Sequence, residues 1–315
     1  MPSNPDLSIV VPLFNEADSL TDLVDQIDEV IRKSGYSGEV LLVDDGSTDS
    51  SWERVRSVHE RLPIARGLRL RRNFGKATAL ATGIAAARGS IIVTMDADLQ
   101  DEPAEIPRLI ATLEEGYDAV SGWKQLRRDP WTKTIPSRIF NTTTRILSGI
   151  PLHDFNCGFK AYRAEAAKSL HLYGELHRFI PILLEANGYR MTEVPVAHHR
   201  RTFGVSKYGW KRLFKGGLDL VTVVLITRYL QRPGHFFGGF GILSGLGGFL
   251  ILAWLSFQKL ALGVGGIGQR PLFFLGILLL LLGAQLISTG LLGELLNRDS
   301  NQKLQTGDRV KESVG

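Results

Sequence analysis

Two long stretches without any charged side chain constrain the fold of this chain more than any other feature. Residues Phe236 to Phe257 and Leu272 to Gly293 contain no Asp, Glu, Lys or Arg, whereas charged residues make up 22% of the sequence. Each stretch is about 22 residues long, and a helix needs roughly 20 apolar residues to cross the hydrocarbon core of a bilayer. The sequence therefore predicts two transmembrane helices near the C-terminus.

Basic residues around these stretches predict their orientation. The loop between them holds only Lys259 and Arg270, whereas basic residues are frequent on the outer sides, at 207, 211, 212, 215, 228, 232, 298, 303, 309 and 311. The start, MPSNPDLSIVVPLFNE, lacks the features of a secretory signal. By the positive-inside rule we expect a multi-pass membrane protein, with the N-terminal domain and the C-terminal tail in the cytoplasm.

Partners and compartment follow from the same charges and from the cysteine count. The net charge of +5 is concentrated where the soluble part would meet the membrane, which favours anionic lipid headgroups as partners. No motif for base or backbone recognition accompanies the charge, so we predict no nucleic-acid partner. Cys157 is the single cysteine, which rules out an internal disulfide and fits a reducing compartment.

From Leu7 to Val120 short apolar runs alternate with amphipathic stretches. The runs LSIVVPL, EVLLVDD, IARGLRL, GSIIVTMDAD and YDAVSGW are typical of buried strands. Helix-period spacing predicts helices over Glu16–Lys33, Ser50–Arg61, Gly75–Arg88 and Glu105–Glu115. This alternation predicts an α/β fold with a mostly parallel sheet covered on both faces.

Polar residues follow the predicted strands at the ends where such sheets bind ligands. They come in three pairs: Asn15 with Glu16, Asp44 with Asp45, and Asp96 with Asp98. In VTMDADLQ the two aspartates stand two residues apart and repel each other unless a cation or several donors lie between them. Mg²⁺ or Mn²⁺ prefers such oxygen ligands and is commonly completed by substrate phosphates. We therefore predict a divalent metal at this edge.

Beyond Trp123 the pattern changes to longer amphipathic helices. In Ile135–Ile150, Arg138 and Arg145 share one helical face beside a broad apolar side. A second stretch, SKYGWKRLFKGGLDLVTVVLITRYL, is basic at its start and apolar later. Both are typical of helices in a membrane interface, although the first also fits an ordinary core-packing helix. Two pairs of glycines, 234 with 238 and 241 with 245, each have a spacing of four, which fits either a homo-oligomer contact or packing between the two spans.

Several motifs together resemble a known family. VVPLFNEADSL, LLVDDGSTDSS, NFGKATALATG and MDADLQDEP resemble, in order and spacing, the donor-binding motifs of inverting family-two glycosyltransferases with the GT-A fold. HDFNCGFKAYR and RRTFGVSKYGWKRL resemble the subgroup that glycosylates dolichyl and undecaprenyl phosphates, and two-span bacterial bactoprenol glucosyltransferases match best. The resemblance implies a GT-A, Rossmann-like core (1–134), an acceptor-binding part (135–232), a two-span hairpin (233–297) and a disordered tail (298–315).

The resemblance also implies roles on the donor side. Binding of the nucleotide sugar is assigned to the following residues: Pro12, Phe14, Glu16, Asp44, Asp45, Lys76, Asp96 and Ala97. Asp98 and Gln100 are the predicted metal ligands, and Lys124 the residue near the donor phosphates. For Asp44 and Asp45 the alternative is turn and helix-cap chemistry.

The acceptor side needs a different set of residues. A phosphate monoester, with its second pKa around 6, is largely dianionic near pH 7 and needs no strong base. It needs cations, for which Arg138, Arg201 and Lys207 are the candidates, with Arg200 as a competitor in the same motif. Asp154 falls where the family places its catalytic acid, and Asp96 and Asp98 complete the predicted catalytic set. His153, His198 and His199 lack zinc-type spacing with Cys157, and we interpret them as structural or interfacial.

The resemblance implies an enzyme of cell-envelope glycosylation in a bacterial-type cytoplasmic membrane, which transfers a sugar, with inversion, from a nucleoside diphosphate to polyprenyl phosphate. By resemblance alone, uridine is the expected base and glucose, from UDP-glucose, the expected sugar, with other hexoses, N-acetylhexosamines and aminoarabinose left open. The alternative from another class is a catalytically silent membrane scaffold or transport subunit that keeps the nucleotide fold.

Overall fold

Seven strands form one sheet in the N-terminal part of the chain. They are β1 (Leu7–Leu13), β2 (Gly38–Asp44), β3 (Ala65–Arg69), β4 (Ile91–Thr94), β5 (Ala119–Trp123), β6 (Lys160–Arg163) and β7 (Met191–Pro195). The computed structural model describes residues 5–125, 131–199, 220, 222–223, 233–263 and 265–303, without the side chains of 131–136 and 297–303. The chain divides into two units, Met1–Val224 and Leu225–Gly315.

The strand order across the sheet is β3-β2-β1-β4-β6-β5-β7. β3, β2, β1 and β4 run parallel to one another, and β5 and β7 form a second parallel pair. β6 lies between these groups and is antiparallel to both of its neighbours. The predicted mostly parallel sheet is confirmed. The antiparallel β6, which joins the two groups, and the edge strand β7 are additions to what the periodicity predicts.

Four helices connect the first strands: α1 (Leu20–Ser34), α2 (Ser51–Arg61), α3 (Lys76–Ala86) and α4 (Ile106–Glu114). Side chains of a strand point alternately to the two faces of a sheet, so Ile9 and Val11 enter one core while Val10 enters the other. The core with Ile9 includes side chains of α1, α2 and α4, and the core with Val10 includes those of α3. Both faces are therefore covered, as predicted.

The second part of this unit contains α5 (Trp131–Ser148), α6 (Ala164–Lys168) and α7 (Ile180–Ala186). The helix predicted over Ile135–Ile150 is present as α5. Phe140 of α5 packs against the core that contains Val10, while Ile139 and Ile146 are exposed. The second amphipathic stretch, with Lys207, lies outside the described residues except for 220, 222 and 223.

The C-terminal unit contains α8 (Pro233–Leu262) and α9 (Pro271–Lys303). Residues Pro233–Leu262 and Pro271–Leu296 are long and apolar enough to cross a membrane. Most of their large apolar side chains are exposed, unlike those of a core helix in a soluble protein. α9 extends to Lys303, past residue 298 where the tail was predicted to begin, because no Gly or Pro interrupts NRDSNQK. Residues 304–315 lie outside the described residues.

Candidate active site

The loops that follow β1 and β2 are tied together at the carboxyl ends of these strands. The Asn15 N–H donates to Ser47 Oγ at 2.9 Å, and the Thr48 N–H donates to Asn15 Oδ1 at 2.9 Å. Asn15 has φ of 56°, a left-handed conformation that asparagine tolerates better than most residues. The Glu16 N–H donates to Ser51 Oγ at 2.9 Å. These bonds fix the loop that contains Phe14 and Glu16. Both side chains are half-buried, and Pro12 before them is buried.

Asp44 and Asp45 both use their oxygens within the protein. Asp44 Oδ1 accepts from the Ser47 N–H at 2.8 Å, and Arg69 Nε lies 3.3 Å from Oδ2. Asp45 accepts from the N–H groups of Phe74 and Gly75, at 2.8 and 2.9 Å. These contacts correspond to the turn and loop chemistry that the sequence left open as the alternative. A nucleotide contact of either residue stays a prediction.

Asp96 at the end of β4 is paired with Lys76, the first residue of α3. Burial raises the pKa of the Asp96 carboxyl, but the charges of Lys76, Lys124 and His177 prevail and hold it at about 2. Gly158 lies directly against this carboxylate, because a Cβ there would be 2.8 Å from Asp96 Oδ1. The structure thus brings together Lys76 and Asp96, two of the predicted donor-binding residues.

Asp98 and Gln100 flank Leu99, which has φ of 57°. The Gln100 N–H donates to Asp98 Oδ1 at 3.3 Å, and Gln100 Nε2 donates to the His199 carbonyl at 3.3 Å. A half-buried carboxylate and an amide oxygen suit a hard divalent cation that takes its other ligands from phosphates. Ala97 is buried beside them. Within the described residues no group of three or more His, Cys, Asp or Glu could hold a metal by itself.

A buried layer of charge lies behind this edge. Lys124 Nζ is 2.7 Å from Asp101 Oδ1, and both side chains are buried or nearly so. Burial lowers the pKa of Lys124, but Asp101 more than offsets it and raises the pKa overall. Lys160 Nζ donates to the Cys157 carbonyl, and burial lowers the pKa of Lys160. Lys124, predicted near the donor phosphates, is thus committed to Asp101 in this structure.

A cavity of about 500 Å³ opens beside Lys124 between the end of β5, α5 and the segment 152–154. Asp154 and Arg138 both line it, as does Arg145. Asp154 is 1% exposed and accepts from Asn156 N–H at 3.2 Å and Asn141 Nδ2 at 3.4 Å. The structure therefore joins the predicted catalytic acid to one predicted acceptor cation. Arg200, Arg201 and Lys207 lie outside the described residues.

Four residues near these groups were not predicted as site residues. His177 lies close enough to lower the pKa of Asp96 electrostatically. Trp123 and His153 line the cavity with their rings stacked, and Glu193 binds His153. The sequence signals are weak, because LHRFIPILL, AVSGWK and MTEVPV mix apolar residues with a few polar or aromatic ones, as ordinary core-packing segments also do.

Comparison with known proteins gives the following relationships. The profile described as "Glycosyl transferase family 2" matches residues 8–170. A dodecaprenyl-phosphate galacturonate synthase from Rhizobium johnstonii is 42% identical, over 93% of this chain and 88% of the relative. An undecaprenyl-phosphate 4-deoxy-4-formamido-L-arabinose transferase from Edwardsiella ictaluri is 35% identical, over 94% and 90%.

Among solved structures, a glucosyl-3-phosphoglycerate synthase from Mycobacterium tuberculosis, in complex with Mn²⁺, UDP and phosphoglyceric acid, is similar with a TM-score of 0.54. It is 22% identical and covers 71% of this chain and 78% of its own. At this identity the likeness concerns the fold alone.

Proposed function

This chain belongs to glycosyl transferase family 2, and from that membership we propose that it moves a sugar from a nucleoside diphosphate onto polyprenyl phosphate with inversion. The observation that carries the proposal is that Lys124 links two unlike places in one unit, because it lines the cavity and its charge acts on Asp96. One is the acidic strand edge at Asp96 and Asp98. The other is the cavity that Asp154 shares with Arg138 and Arg145.

On the acceptor side the cavity supplies what a phosphate nucleophile needs. A phosphate monoester is largely dianionic near neutral pH, so its oxygen attacks without a strong base. Arg138 and Arg145 can hold this charge, and guanidinium groups suit phosphate because they offer paired donors. Asp154 then orients the acceptor or the donor, and Arg201 and Lys207 are proposed as further acceptor contacts.

On the donor side the leaving group is a nucleoside diphosphate, with uridine as the base expected from the resemblance. Asp98 and Gln100 would hold Mg²⁺ or Mn²⁺, which neutralises the charge that develops on the diphosphate. The Lys76 ammonium is paired with Asp96, and its flexible side chain can reach a phosphate of the donor. Pro12, Phe14, Glu16 and Asp45 are proposed to surround the nucleoside.

The sugar is proposed to be galacturonate. Glucose, expected from the resemblance, is not the sugar in the name of either relative, whereas galacturonate is named in the 42% identical one. Galacturonate and 4-deoxy-4-formamido-L-arabinose differ from glucose in the groups around the ring. Pocket contacts to such groups decide specificity between donors.

The test uses membranes that contain the full-length chain, undecaprenyl phosphate, a divalent metal and labelled donors. UDP-galacturonate, UDP-4-deoxy-4-formamido-L-arabinose and UDP-glucose are compared, and label in extracted lipid is measured. We expect lipid-linked label with UDP-galacturonate that disappears on chelation of the metal. A higher yield with UDP-glucose would overturn the assignment of the sugar, and no label with any donor would overturn the proposed reaction.

Asp154→Asn tests the role of the acid in the same assay. We expect turnover to fall at least about tenfold while the KM for the donor stays within twofold, because the substitution keeps the shape and removes the charge. A variant with wild-type turnover would remove Asp154 from the proposed mechanism.

Membrane orientation and assembly belong to the same proposal. We propose that both ends of the chain lie in the cytoplasm. The donor site at Asp96 and Asp98 then faces the compartment that contains nucleotide sugars. A homo-oligomer contact through the spans stays a prediction. The scaffold alternative has no support in the relatives, which are named as a synthase and a transferase.

A further inference from the structure

His153 is held by two neighbours in a way that exposed histidines rarely are. Its ring stacks on Trp123 with the centroids 4.3 Å apart and the planes 14° apart. Its Nδ1 contacts Glu193 Oε1, and its backbone N–H donates to Glu193 Oε2 at 2.8 Å. Glu193 is 10% exposed, so the carboxylate that fixes the ring is itself largely buried.

These contacts leave one end of the ring available. A carboxylate only accepts, so Nδ1 carries a hydrogen. Nε2 lies at the opposite side of the imidazole, and the described residues provide no hydrogen-bond partner for it. The ring is 49% exposed and lines the cavity together with Asp154 and Arg138.

We propose that His153, held by Glu193 and Trp123, binds the phosphate of the acceptor lipid in this cavity through Nε2. The inference rests on the proposed function, because it names a contact of the same acceptor. It changes our interpretation of His153 from a structural residue to a binding residue.

The charges that line the cavity agree with this assignment. Lys124 is paired with Asp101, and Asp154 brings a negative charge next to where a phosphate would lie. Arg138 and Arg145 are then the remaining cations of the described lining. Because a phosphate dianion carries two charges and stands beside Asp154, a third donor at His153 offsets the repulsion from that carboxylate.

The acceptor phosphate can bind His153 as a monoanion or as a dianion, and both routes give the same complex of a phosphate dianion with a protonated Nε2. A monoanionic phosphate can pass its proton to neutral Nε2, and a dianionic phosphate can accept a hydrogen bond from an Nε2 that already carries a proton. In the transfer step a phosphate oxygen forms the bond to the anomeric carbon, and the bond to the diphosphate breaks with its electron pair. A proton taken up by His153 leaves to water when the product departs.

Two amide substitutions separate the ends of the ring. Asn places an amide near Nδ1 and can still bind Glu193, whereas Gln extends an N–H toward the position of Nε2. With the full-length protein in detergent and undecaprenyl phosphate, we expect His153→Asn to raise the KM for the lipid roughly tenfold or more, the effect of one charged hydrogen bond. The KM for the donor stays within twofold, and His153→Gln shows a smaller rise.

The matched control is His171→Asn, which changes an exposed histidine of the same unit that does not line the cavity. It leaves both KM values unchanged. Thermal unfolding of each variant verifies that it is folded. A lipid KM within twofold of wild type for His153→Asn overturns the inference. So does a parallel rise of lipid and donor KM, which a purely structural clamp would give.

A binding measurement separates this inference from the proposed reaction. A short-chain isoprenyl phosphate, the corresponding alcohol and inorganic phosphate are titrated into the protein without donor. We expect the isoprenyl phosphate to bind more tightly than the other two and His153→Asn to weaken it at least about fivefold. Equal binding by wild type and His153→Asn overturns the inference even where sugar transfer is observed. Failure of every donor in the transfer assay overturns the reaction and leaves this binding result to decide on His153.

Discussion

Carboxylates of the candidate site differ in how they are held, and this difference indicates what each can do. Asp45 is bound by two backbone N–H groups, which cannot leave without unfolding the loop before α3. Asp96 is bound by the ammonium of Lys76, a flexible side chain that can exchange a carboxylate for a phosphate. We infer that Asp45 shapes the loop that presents Lys76, while Asp96 changes partners when a donor binds.

Gly158→Ala tests whether the position of Asp96 matters. The added Cβ would lie 2.8 and 2.9 Å from the two carboxylate oxygens, and Gly158 cannot retreat easily because Thr94 Oγ1 donates to its carbonyl at 2.8 Å. Asp96 must therefore shift. We expect the kcat/KM for the donor to fall at least about tenfold, since small displacements of site groups are costly.

The KM for the lipid phosphate serves as the internal control for Gly158→Ala, because the cavity with Asp154 is lined by other residues. It should stay within twofold of wild type. Wild-type donor kinetics in a folded Gly158→Ala protein would show that Asp96 has no critical position.

The alkylation rate of the Cys157 thiol reports how readily the protein opens around this residue. Burial, with Asp101 and Asp154 nearby, raises the pKa of its thiol to about 12, so the reactive thiolate is scarce at pH 8. As the only cysteine, it gives an unambiguous signal. We expect alkylation by iodoacetamide at pH 8 to be at least about a hundredfold slower in the native protein than in denaturant. Similar rates in both conditions would mean that this segment opens readily, and Cys157→Ala gives the unlabelled control.

Among the secondary-structure elements, the sequence predicted those whose apolar residues recur with the period of a strand or a helix. β1 and β2 are short, mostly apolar and buried runs. α1 has a clear apolar face, and the helix is capped by Gly35 in a left-handed conformation. β6 was not predicted, because the four residues of KAYR give no measurable alternation and its place between β4 and β5 depends on distant pairing.

Contacts within the candidate site show the same limit. Position after a strand correctly indicated that Asn15, Asp45 and Asp96 lie at one edge of the sheet. It could not indicate that Asp45 would bind the backbone of Phe74, or that His153 would meet Glu193 from the edge strand β7. Such pairs are set by tertiary packing between segments far apart in the sequence, and no local pattern encodes them.

Close packing of α8 against α9 depends on a few glycines. At Gly248 a Cβ would lie 2.6 Å from the Gly276 carbonyl oxygen and 2.8 Å from the Leu280 nitrogen. Ser244 Oγ donates to the Leu279 carbonyl at 2.9 Å, a bond that requires the same short separation. Small residues between membrane helices allow this approach. Of the spaced glycines in the sequence, Gly241 belongs to this contact, because a Cβ there would lie 2.8 Å from the Gly283 carbonyl oxygen.

Gly248→Val should therefore separate the two helices, whereas Gly239→Val should not, because a Cβ at Gly239 meets nothing within 4 Å. We expect Gly248→Val to lower the free energy of unfolding in an SDS titration by about 1–3 kcal/mol, the usual cost of overpacking. Gly239→Val is the matched control and should stay near wild type. Equal stability of the two variants would contradict the helix contact described here.

For the whole molecule, one chain combines a unit with the chemistry of a soluble enzyme and a unit suited to lipid. The N-terminal unit has two apolar cores, and Asp45 and Asp96 of the candidate site follow strands at one edge of the sheet. The C-terminal unit exposes Leu and Phe side chains along both helices. A polyprenyl phosphate has the same division, with a charged head and an apolar chain, so the composition of the protein matches the two halves of the proposed acceptor.

Membrane orientation is the prediction that applies to the entire chain. In a Cys157→Ala background, Gln269→Cys marks the loop between α8 and α9, and Ser57→Cys marks the exposed face of α2. Because basic residues are concentrated outside the hairpin loop, we expect that loop on the outer side of the membrane and α2 in the cytoplasm. A membrane-impermeant maleimide added to intact cells, with the outer envelope made permeable, should label Gln269→Cys and not Ser57→Cys. Detergent should expose both. Labelling of Ser57→Cys before detergent would place the catalytic unit on the side without cytoplasmic nucleotide sugars, and the proposed reaction would then lack its donor.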